Sequence, residues 1–188
     1  MRRKVVSVIG DAGVKPGSAT YEAARQVGRL LVDEGFRVMT GGLGGVMEAA
    51  SRGAHESERY GEGATIGVLP HLDPAEANEW VDIVLATGLD HARNTLVANA
   101  DAVIAVGGGA GTLSEMAFAW MFKRLVVAVK GVGWADKLGG ERLDARSRCD
   151  VADDVVYAAD DARHAVAIVV ERLPLYTGRN KGFHRAER

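Results

Sequence analysis

The sequence predicts an α/β fold in which helices cover both faces of a doubly wound, mainly parallel sheet. Three observations favour this fold. Short runs rich in valine and isoleucine alternate along the chain with segments of helical periodicity. Several of these runs lead directly into glycine, as strands do where they turn toward a helix. The length of 188 residues suits one such domain with a full hydrophobic core.

Six apolar runs predict the strands. They are continuous rather than alternating, which is typical of parallel strands buried on both faces. The predicted strands are Val5 to Ile9, Phe36 to Thr40, Thr65 to Leu69, Val81 to Ala86, Ala102 to Val106 and Leu125 to Val129.

Five segments between and after these strands have helical periodicity. They are Ser18 to Glu34, Gly45 to Glu58, Asp90 to Asn99, Thr112 to Lys123 and Asp160 to Leu173. We interpret Gly131 to Gly140 as a surface loop, with a lid over the ligand as the alternative. The domain is expected to span residues 1–173, and residues 174–188 are expected to form a basic tail.

The composition excludes several classes of protein. A formal net charge of -2 argues against a nucleic-acid-binding protein. No apolar run reaches the roughly 18 residues of a membrane-spanning helix, and the first ten residues lead into a strand rather than a signal peptide, so we expect a cytoplasmic protein. A single cysteine, Cys149, excludes an internal disulfide and a cysteine-cluster metal site, and we expect no metal site.

Three predicted strands end in glycine-rich loops: Gly10 to Gly13, Gly41 to Gly45 and Gly107 to Gly111. Glycine lets a ligand approach the backbone amides closely, and the free amides at a helix start attract anions. Because the carboxyl ends of parallel strands share one edge of the sheet, these loops predict a phosphate site there. A plain strand-to-helix turn is the alternative for each loop.

The spacing of the glycines excludes several familiar phosphate sites and one hydrolase class. No cluster completes G-x-G-x-x-G, so a nicotinamide or flavin enzyme is not expected. The P-loop motif G-x-x-x-x-G-K-[ST] and the serine-hydrolase motif G-x-S-x-G are also missing.

Two side chains near the last glycine loop are candidates for chemistry. Arg93 precedes the strand that leads into the loop, and an arginine can grip a phosphate with its planar fork. Glu115 follows the loop, where it is either a catalytic carboxylate or, with Thr112, part of a T-x-x-E capping box that closes the helix start. The sequence leaves these two roles of Glu115 open.

The segments TGGLGGVMEAASRGA, ARN and DAVIAVGGGAGTLSEMAFA resemble the Lonely Guy superfamily of Rossmann-like proteins over about residues 4–130. They are similar in particular to its molybdenum cofactor carrier branch, which shares the G-G-x-G-T-x-x-E core and the A-R-N triplet. The superfamily's enzymes hydrolyse the N-glycosidic bond of purine nucleoside monophosphates and carry P-G-G-x-G-T-x-x-E with an upstream arginine and lysine. Here Gly107 replaces that proline and Asn94 replaces that lysine, which favours the carrier branch.

The resemblance implies a Rossmann-like ligand-binding domain that holds a molybdenum cofactor or an AMP-like nucleotide and requires no cofactor of its own. Arg93 and Glu115 would be catalytic only in a hydrolase, and a nucleotide-sensing module is a further alternative. A homo-oligomer, dimer or tetramer, is implied, and the broad apolar face of the helix after the last glycine loop also favours it. The expected ligand-binding residues are Gly10, Asp11, Gly41, Gly42, Gly44, Gly45, Asn94, Gly107, Gly108, Gly109, Ala110, Gly111 and Thr112.

Overall fold

The computed structural model of the protein describes residues 2–146 and 148–177. It confirms the predicted fold class, since seven strands form one sheet in which every neighbouring pair is parallel. The strands are β1 (Val5–Gly10), β2 (Arg37–Thr40), β3 (Thr65–Leu69), β4 (Ile83–Ala86), β5 (Ala102–Val106), β6 (Leu125–Val129) and β7 (Tyr157–Ala159).

The helices are α1 (Ala19–Asp33), α2 (Val46–His55), α3 (Asn94–Ala98), α4 (Ala110–Met121), α5 (Gly133–Leu138) and α6 (Ala162–Arg172). Short 3₁₀ turns lie at Pro74–Glu76, Asp90–Arg93 and Leu173–Leu175. One core lies between the sheet and α1, α2 and α6, and a second lies between the sheet and α3, α4 and α5. None of the helices within the described part of the chain is long and apolar enough to cross a membrane.

The strand order β4-β3-β2-β1-β5-β6-β7 determines where a ligand can enter. The chain runs outward from β1 to β4 and then returns to place β5 against the other side of β1. The direction of strand order therefore reverses between β1 and β5. In open parallel sheets the ligand crevice lies beyond the carboxyl ends of the strands at such a reversal.

Several elements differ from the sequence prediction. The segment Gly131 to Gly140, predicted as a surface loop or lid, contains α5. The amides of Trp134 and Ala135 at the start of α5 donate to the carbonyls of Gly108 and Gly107, at 3.0 and 3.1 Å. The segment is thus hydrogen-bonded to the last glycine loop. The loop interpretation was wrong for Gly133–Leu138, whereas most of the segment lies at the surface as expected. None of its residues lines the cavity described below, which argues against the lid.

The second difference is β7, which the sequence analysis missed. This strand has three residues, two of them alanine, and it extends the sheet by pairing with β6. The predicted helix from Asp90 to Asn99 is also divided into the 3₁₀ turn Asp90–Arg93 and the five-residue α3.

The predicted basic tail begins as part of the folded body. Residues Leu173–Leu175 form a 3₁₀ turn, and the hydroxyl of Tyr176 donates to Asp154 at 2.6 Å. Residues 178–188 lie outside the described residues, so most of the predicted tail is not described.

Candidate functional site

A cavity of about 480 Å³ lies at the carboxyl edge of the sheet, beside the reversal of strand order between β1 and β5. It brings together nine of the residues that the sequence singled out. These are Gly10, Asp11, Gly41, Arg93, Asn94, Gly109, Gly111, Thr112 and Glu115.

The amino end of α4 forms one wall of the cavity. The amide of Leu113 makes the first hydrogen bond along the helix, to the carbonyl of Gly109 at 3.0 Å, so the amides of Ala110 to Thr112 precede the helical ladder. Gly109 is the N-cap residue, and no side chain caps the helix. Free amides and the positive end of the helix dipole favour an anion at this wall.

The structure contradicts the capping-box interpretation of Thr112 and Glu115. Helix α4 begins at Ala110, two residues earlier than predicted, so Thr112 lies inside the helix rather than at its start. The extended backbone of Gly109 leads directly into Ala110 and Gly111, which continue as helix. Glu115 lies more than one turn in, and its carboxylate pairs with Arg93 instead of folding back on the helix start.

Arg93 and Glu115 form a buried ion pair on the floor of the cavity. The guanidinium Nη1 donates to Oε1 of Glu115 at 3.0 Å, and the two residues are 9% and 6% exposed. Burial raises the pKa of Glu115 from 4.5 to about 7, and the charge and hydrogen bond of Arg93 partly counteract this rise. Glu115 therefore changes its protonation state near neutral pH.

Arg93 keeps donors that its pairing with Glu115 does not use. A guanidinium carries five N–H donors. Its Nε is buried and has no hydrogen-bond partner among the described residues. The two terminal nitrogens carry four more N–H donors, and the bond to Glu115 uses one of them. Arg93 is thus suited to hold an anion that enters the cavity.

Asn94 links two of the elements around the cavity. Its amide nitrogen donates to the hydroxyl of Ser114 at 2.9 Å, and that hydroxyl donates to the carbonyl of Gly111 at 2.7 Å. This chain of hydrogen bonds ties the start of α3 to the first turns of α4. Asn94 therefore positions the loop as well as lining the cavity.

Six predicted ligand-binding residues do not line this cavity: Gly42, Gly44, Gly45, Gly107, Gly108 and Ala110. For several of them the structure shows a supporting role. The carbonyls of Gly107 and Gly108 accept from α5, as described above. The carbonyl of Gly42 accepts from the backbone and the side chain of Asn78, at 2.9 and 3.0 Å.

Eight cavity residues were not predicted as ligand-binding: Ile9, Ala12, Leu43, Met47, Pro70, His71, Asp90 and His91. His91 lies at the rim of the cavity, with 91% of its side chain exposed. His71 lies two residues beyond the end of β3. Asp90 has a positive φ of 48°, an uncommon conformation for a residue other than glycine. Ala12 and Leu43 lie within the glycine-rich loops, whereas the other six lie outside them, so the signal that identified the site did not include those six.

Comparisons with known proteins identify a family and similar folds. A family model described as the SLOG cluster4 family matches residues 3–164. The cytokinin riboside 5'-monophosphate phosphoribohydrolase LOG of Oryza sativa subsp. japonica is 33% identical over 169 residues, which are 87% of this chain and 67% of that protein.

Two solved structures are similar over nearly the whole chain. The molybdenum cofactor binding protein from the phototrophic bacterium Rippkaea orientalis has a TM-score of 0.75 and 31% identity, over 90% of this chain and 97% of its own. The molybdenum cofactor carrier protein from Chlamydomonas reinhardtii has a TM-score of 0.70 and 31% identity, over 92% of this chain and 99% of its own.

Proposed function

The chain belongs to the SLOG cluster4 family, and on that basis we propose that its cavity binds a small molecule that carries a phosphate group. This membership confirms the resemblance that the motifs indicate. The observation that carries the proposal is the meeting of Arg93 with the uncapped amino end of α4 in one cavity. A buried cationic fork and free backbone amides together are a typical phosphate site.

Our first proposal for the ligand is a pterin-like molecule such as the molybdenum cofactor, held without chemistry. Two observations support it. Both solved relatives named above are cofactor-binding or carrier proteins by name, and the sequence carries Gly107 and Asn94 where the enzymes of the superfamily carry proline and lysine. The apolar side chains of Leu43, Met47 and Pro70 line the cavity beside the polar wall and can pack against a ring.

A phosphoribohydrolase that acts on an AMP-like nucleotide is the second candidate, and the state of Glu115 favours it. A carboxyl whose pKa is about 7 can exchange a proton at neutral pH, which suits a general acid or base. In that reaction water adds to the anomeric carbon of the ribose, the N-glycosidic bond breaks, and the base leaves with a proton. Glu115 would orient the water or stabilise the positive charge on the ribose, while Arg93 holds the phosphate.

The test of binding uses the purified protein as it leaves the cell and AMP as a defined probe. Mass spectrometry identifies any small molecule that copurifies, and calorimetry measures the affinity for AMP. We expect Arg93→Met to weaken AMP binding about 10-fold to 100-fold, because it removes a charged hydrogen-bond donor. A protein that neither retains a phosphate ligand nor binds AMP would contradict the proposed function.

Turnover separates the two candidates. Release of free base from AMP by the parent protein, abolished in Glu115→Gln while AMP affinity stays within a few fold, supports the hydrolase. Glu79→Gln is the matched control, since Glu79 is exposed and does not line the cavity. A retained pterin without base release supports the carrier, and undiminished turnover in Glu115→Gln would exclude Glu115 as a catalytic residue.

We also propose that the protein is a homo-oligomer. On the α3 and α4 face of the sheet, Met121 is 64% exposed and Leu96 is 44% exposed. Large apolar side chains on one face favour a subunit contact. Light scattering should report a dimer or a tetramer, and Met121→Glu should lower the apparent mass. A parent protein that is monomeric at micromolar concentration would contradict this proposal.

A further inference from the structure

The guanidinium of Arg93 lies against the backbone at a position that has no side chain, Gly41. A Cβ atom built on Gly41 would lie 2.5 Å from Nη2 and 2.8 Å from Nη1 of Arg93. It would also lie 2.7 Å from the sulfur of Met47. Such distances are far shorter than the roughly 3.5 to 4.0 Å at which heavy atoms pack favourably, so any other residue at this position would displace the guanidinium.

Backbone conformation does not account for this glycine. Gly41 directly follows β2 and is not among the residues whose φ is positive, unlike its neighbour Gly42 at 77°. Any amino acid can adopt the backbone of Gly41, so what is special at this position is the space that the missing side chain leaves.

We propose that Gly41 is a positioning residue: its missing side chain forms the seat that holds the Arg93 guanidinium against Glu115. The seat has backbone on one side and the Glu115 carboxylate at 3.0 Å on the other. Its effect on a ligand rests on the proposed function, because it acts on phosphate only through Arg93. Its effect on Glu115 does not depend on any ligand.

The seat controls the charge that Glu115 experiences. Glu115 is buried, and Arg93 is the group that favours its ionised form. The other charged or titratable groups that line the cavity are Asp11, His71, Asp90 and His91. If the guanidinium moves away from Glu115, burial remains while the compensating charge weakens, so the carboxyl should hold its proton to higher pH.

Gly41→Ala tests the seat directly. The atoms that the added methyl would meet are the ends of flexible side chains, so the protein can fold while the guanidinium moves. The readout is the pKa of the Glu115 carboxyl, measured by carbon NMR of the ligand-free protein labelled at glutamate, with assignment from Glu115→Gln. We expect the pKa of Glu115 to be clearly higher in Gly41→Ala than in the parent protein. Arg93→Met, which removes the compensating charge, should raise this pKa in the same direction.

The matched control is Gly61→Ala, since a Cβ at Gly61 would meet nothing within 4 Å and its φ is not positive. This control should leave the pKa of Glu115 unchanged. If Gly41→Ala fails to fold, the double variant Gly41→Ala with Met47→Ala removes the contact with the sulfur and keeps the contact with Arg93. An unchanged pKa of Glu115 in the folded variant would overturn the inference.

AMP affinity separates this inference from the proposed function. If the parent protein binds AMP, Gly41→Ala should weaken the binding about 10-fold, and Gly61→Ala should not change it. If the parent protein neither binds AMP nor retains a phosphate ligand, the proposed function fails, and the pKa comparison still decides whether Gly41 seats Arg93.

Discussion

Arg93 with Glu115 and Arg148 with Asp154 are both buried arginine–carboxylate pairs, and they differ in how completely the protein satisfies them. Arg148 is 7% exposed and donates to the carbonyls of Trp120 and Arg124, at 3.1 and 2.9 Å. It also donates to Asp154 at 2.7 Å, and its guanidinium lies 3.6 Å from the centre of the Trp120 ring.

The pair at the cavity has far fewer partners within the protein. Arg93 makes one side-chain hydrogen bond, to Glu115, whereas the Arg148 guanidinium makes three. Asp154, by contrast, also accepts from Tyr176 at 2.6 Å. The Arg148 pair thus joins loop, helix and C-terminal segment, whereas the Arg93 pair leaves more guanidinium donors unused, which supports the proposed role of Arg93 in binding a ligand.

The largest expected effect comes from breaking the Arg148 pair. Arg148→Met should lower the free energy of unfolding by about 3 to 5 kcal/mol, because it leaves the Asp154 carboxylate buried without its cation. Urea unfolding followed by circular dichroism measures this change. AMP affinity should stay within a few fold wherever the variant is folded, since neither residue lines the cavity.

The exposed Arg163 on α6 provides the control for that experiment. Arg163→Met should change the free energy of unfolding by less than about 0.5 kcal/mol. If Arg148→Met were no more destabilising than Arg163→Met, the buried pair would not be a structural element of the fold.

The strands and the position of the candidate site could be predicted from the sequence. The strands were predictable because a strand buried on both faces, such as Ala102–Val106, is apolar at every position. This pattern can be seen in the sequence without knowledge of which helices pack on the strand. The phosphate-site hypothesis was accessible because three glycine loops end three parallel strands at one edge. Strand β7 could not be predicted, because Tyr157–Ala159 is too short to show a sequence pattern and forms a strand by pairing with β6.

The partners of Glu115 could not be predicted from spacing alone. Whether Thr112 caps the helix depends on where α4 begins, and the backbone of Gly109 moves that start two residues upstream. The choice of Arg93 as partner depends on the seat at Gly41, which is 52 positions away in the chain and comes close only through the fold. Likewise, α5 forms where its first amides meet the carbonyls of the glycine loop.

The next largest effect should distinguish the pairs by their response to pH. The pKa of Glu115 is raised from 4.5 to about 7 in the folded protein, so the folded state holds a proton that the unfolded state has lost between these values. The free energy of unfolding should therefore fall as pH rises from about 4.5 to 8, by about 3 kcal/mol for this group. In Glu115→Gln this contribution is missing, because the amide does not titrate.

The measurement is the difference in the free energy of unfolding between the parent protein and Glu115→Gln at a series of pH values. Other titrating groups contribute equally to both proteins and cancel in the difference. Glu79→Gln, at an exposed position, should run parallel to the parent protein. Parallel curves for Glu115→Gln as well would show that the cavity pair is as insensitive to pH as an exposed carboxylate.

The smallest expected effect concerns the hydroxyl that completes the Arg148 pair. Tyr176→Phe removes the hydrogen bond to Asp154 and should lower the free energy of unfolding by about 1 kcal/mol. Burial raises the pKa of Tyr176, so its hydroxyl stays protonated and donates throughout the range from pH 5 to 8. Tyr176→Phe should therefore lower the free energy of unfolding by the same amount at pH 5 and at pH 8. The contribution of Glu115, by contrast, changes over this range. A destabilisation by Tyr176→Phe that grew or vanished between pH 5 and 8 would mean that the Arg148 pair also changes its protonation near neutrality. The two buried pairs would then no longer differ in their response to pH.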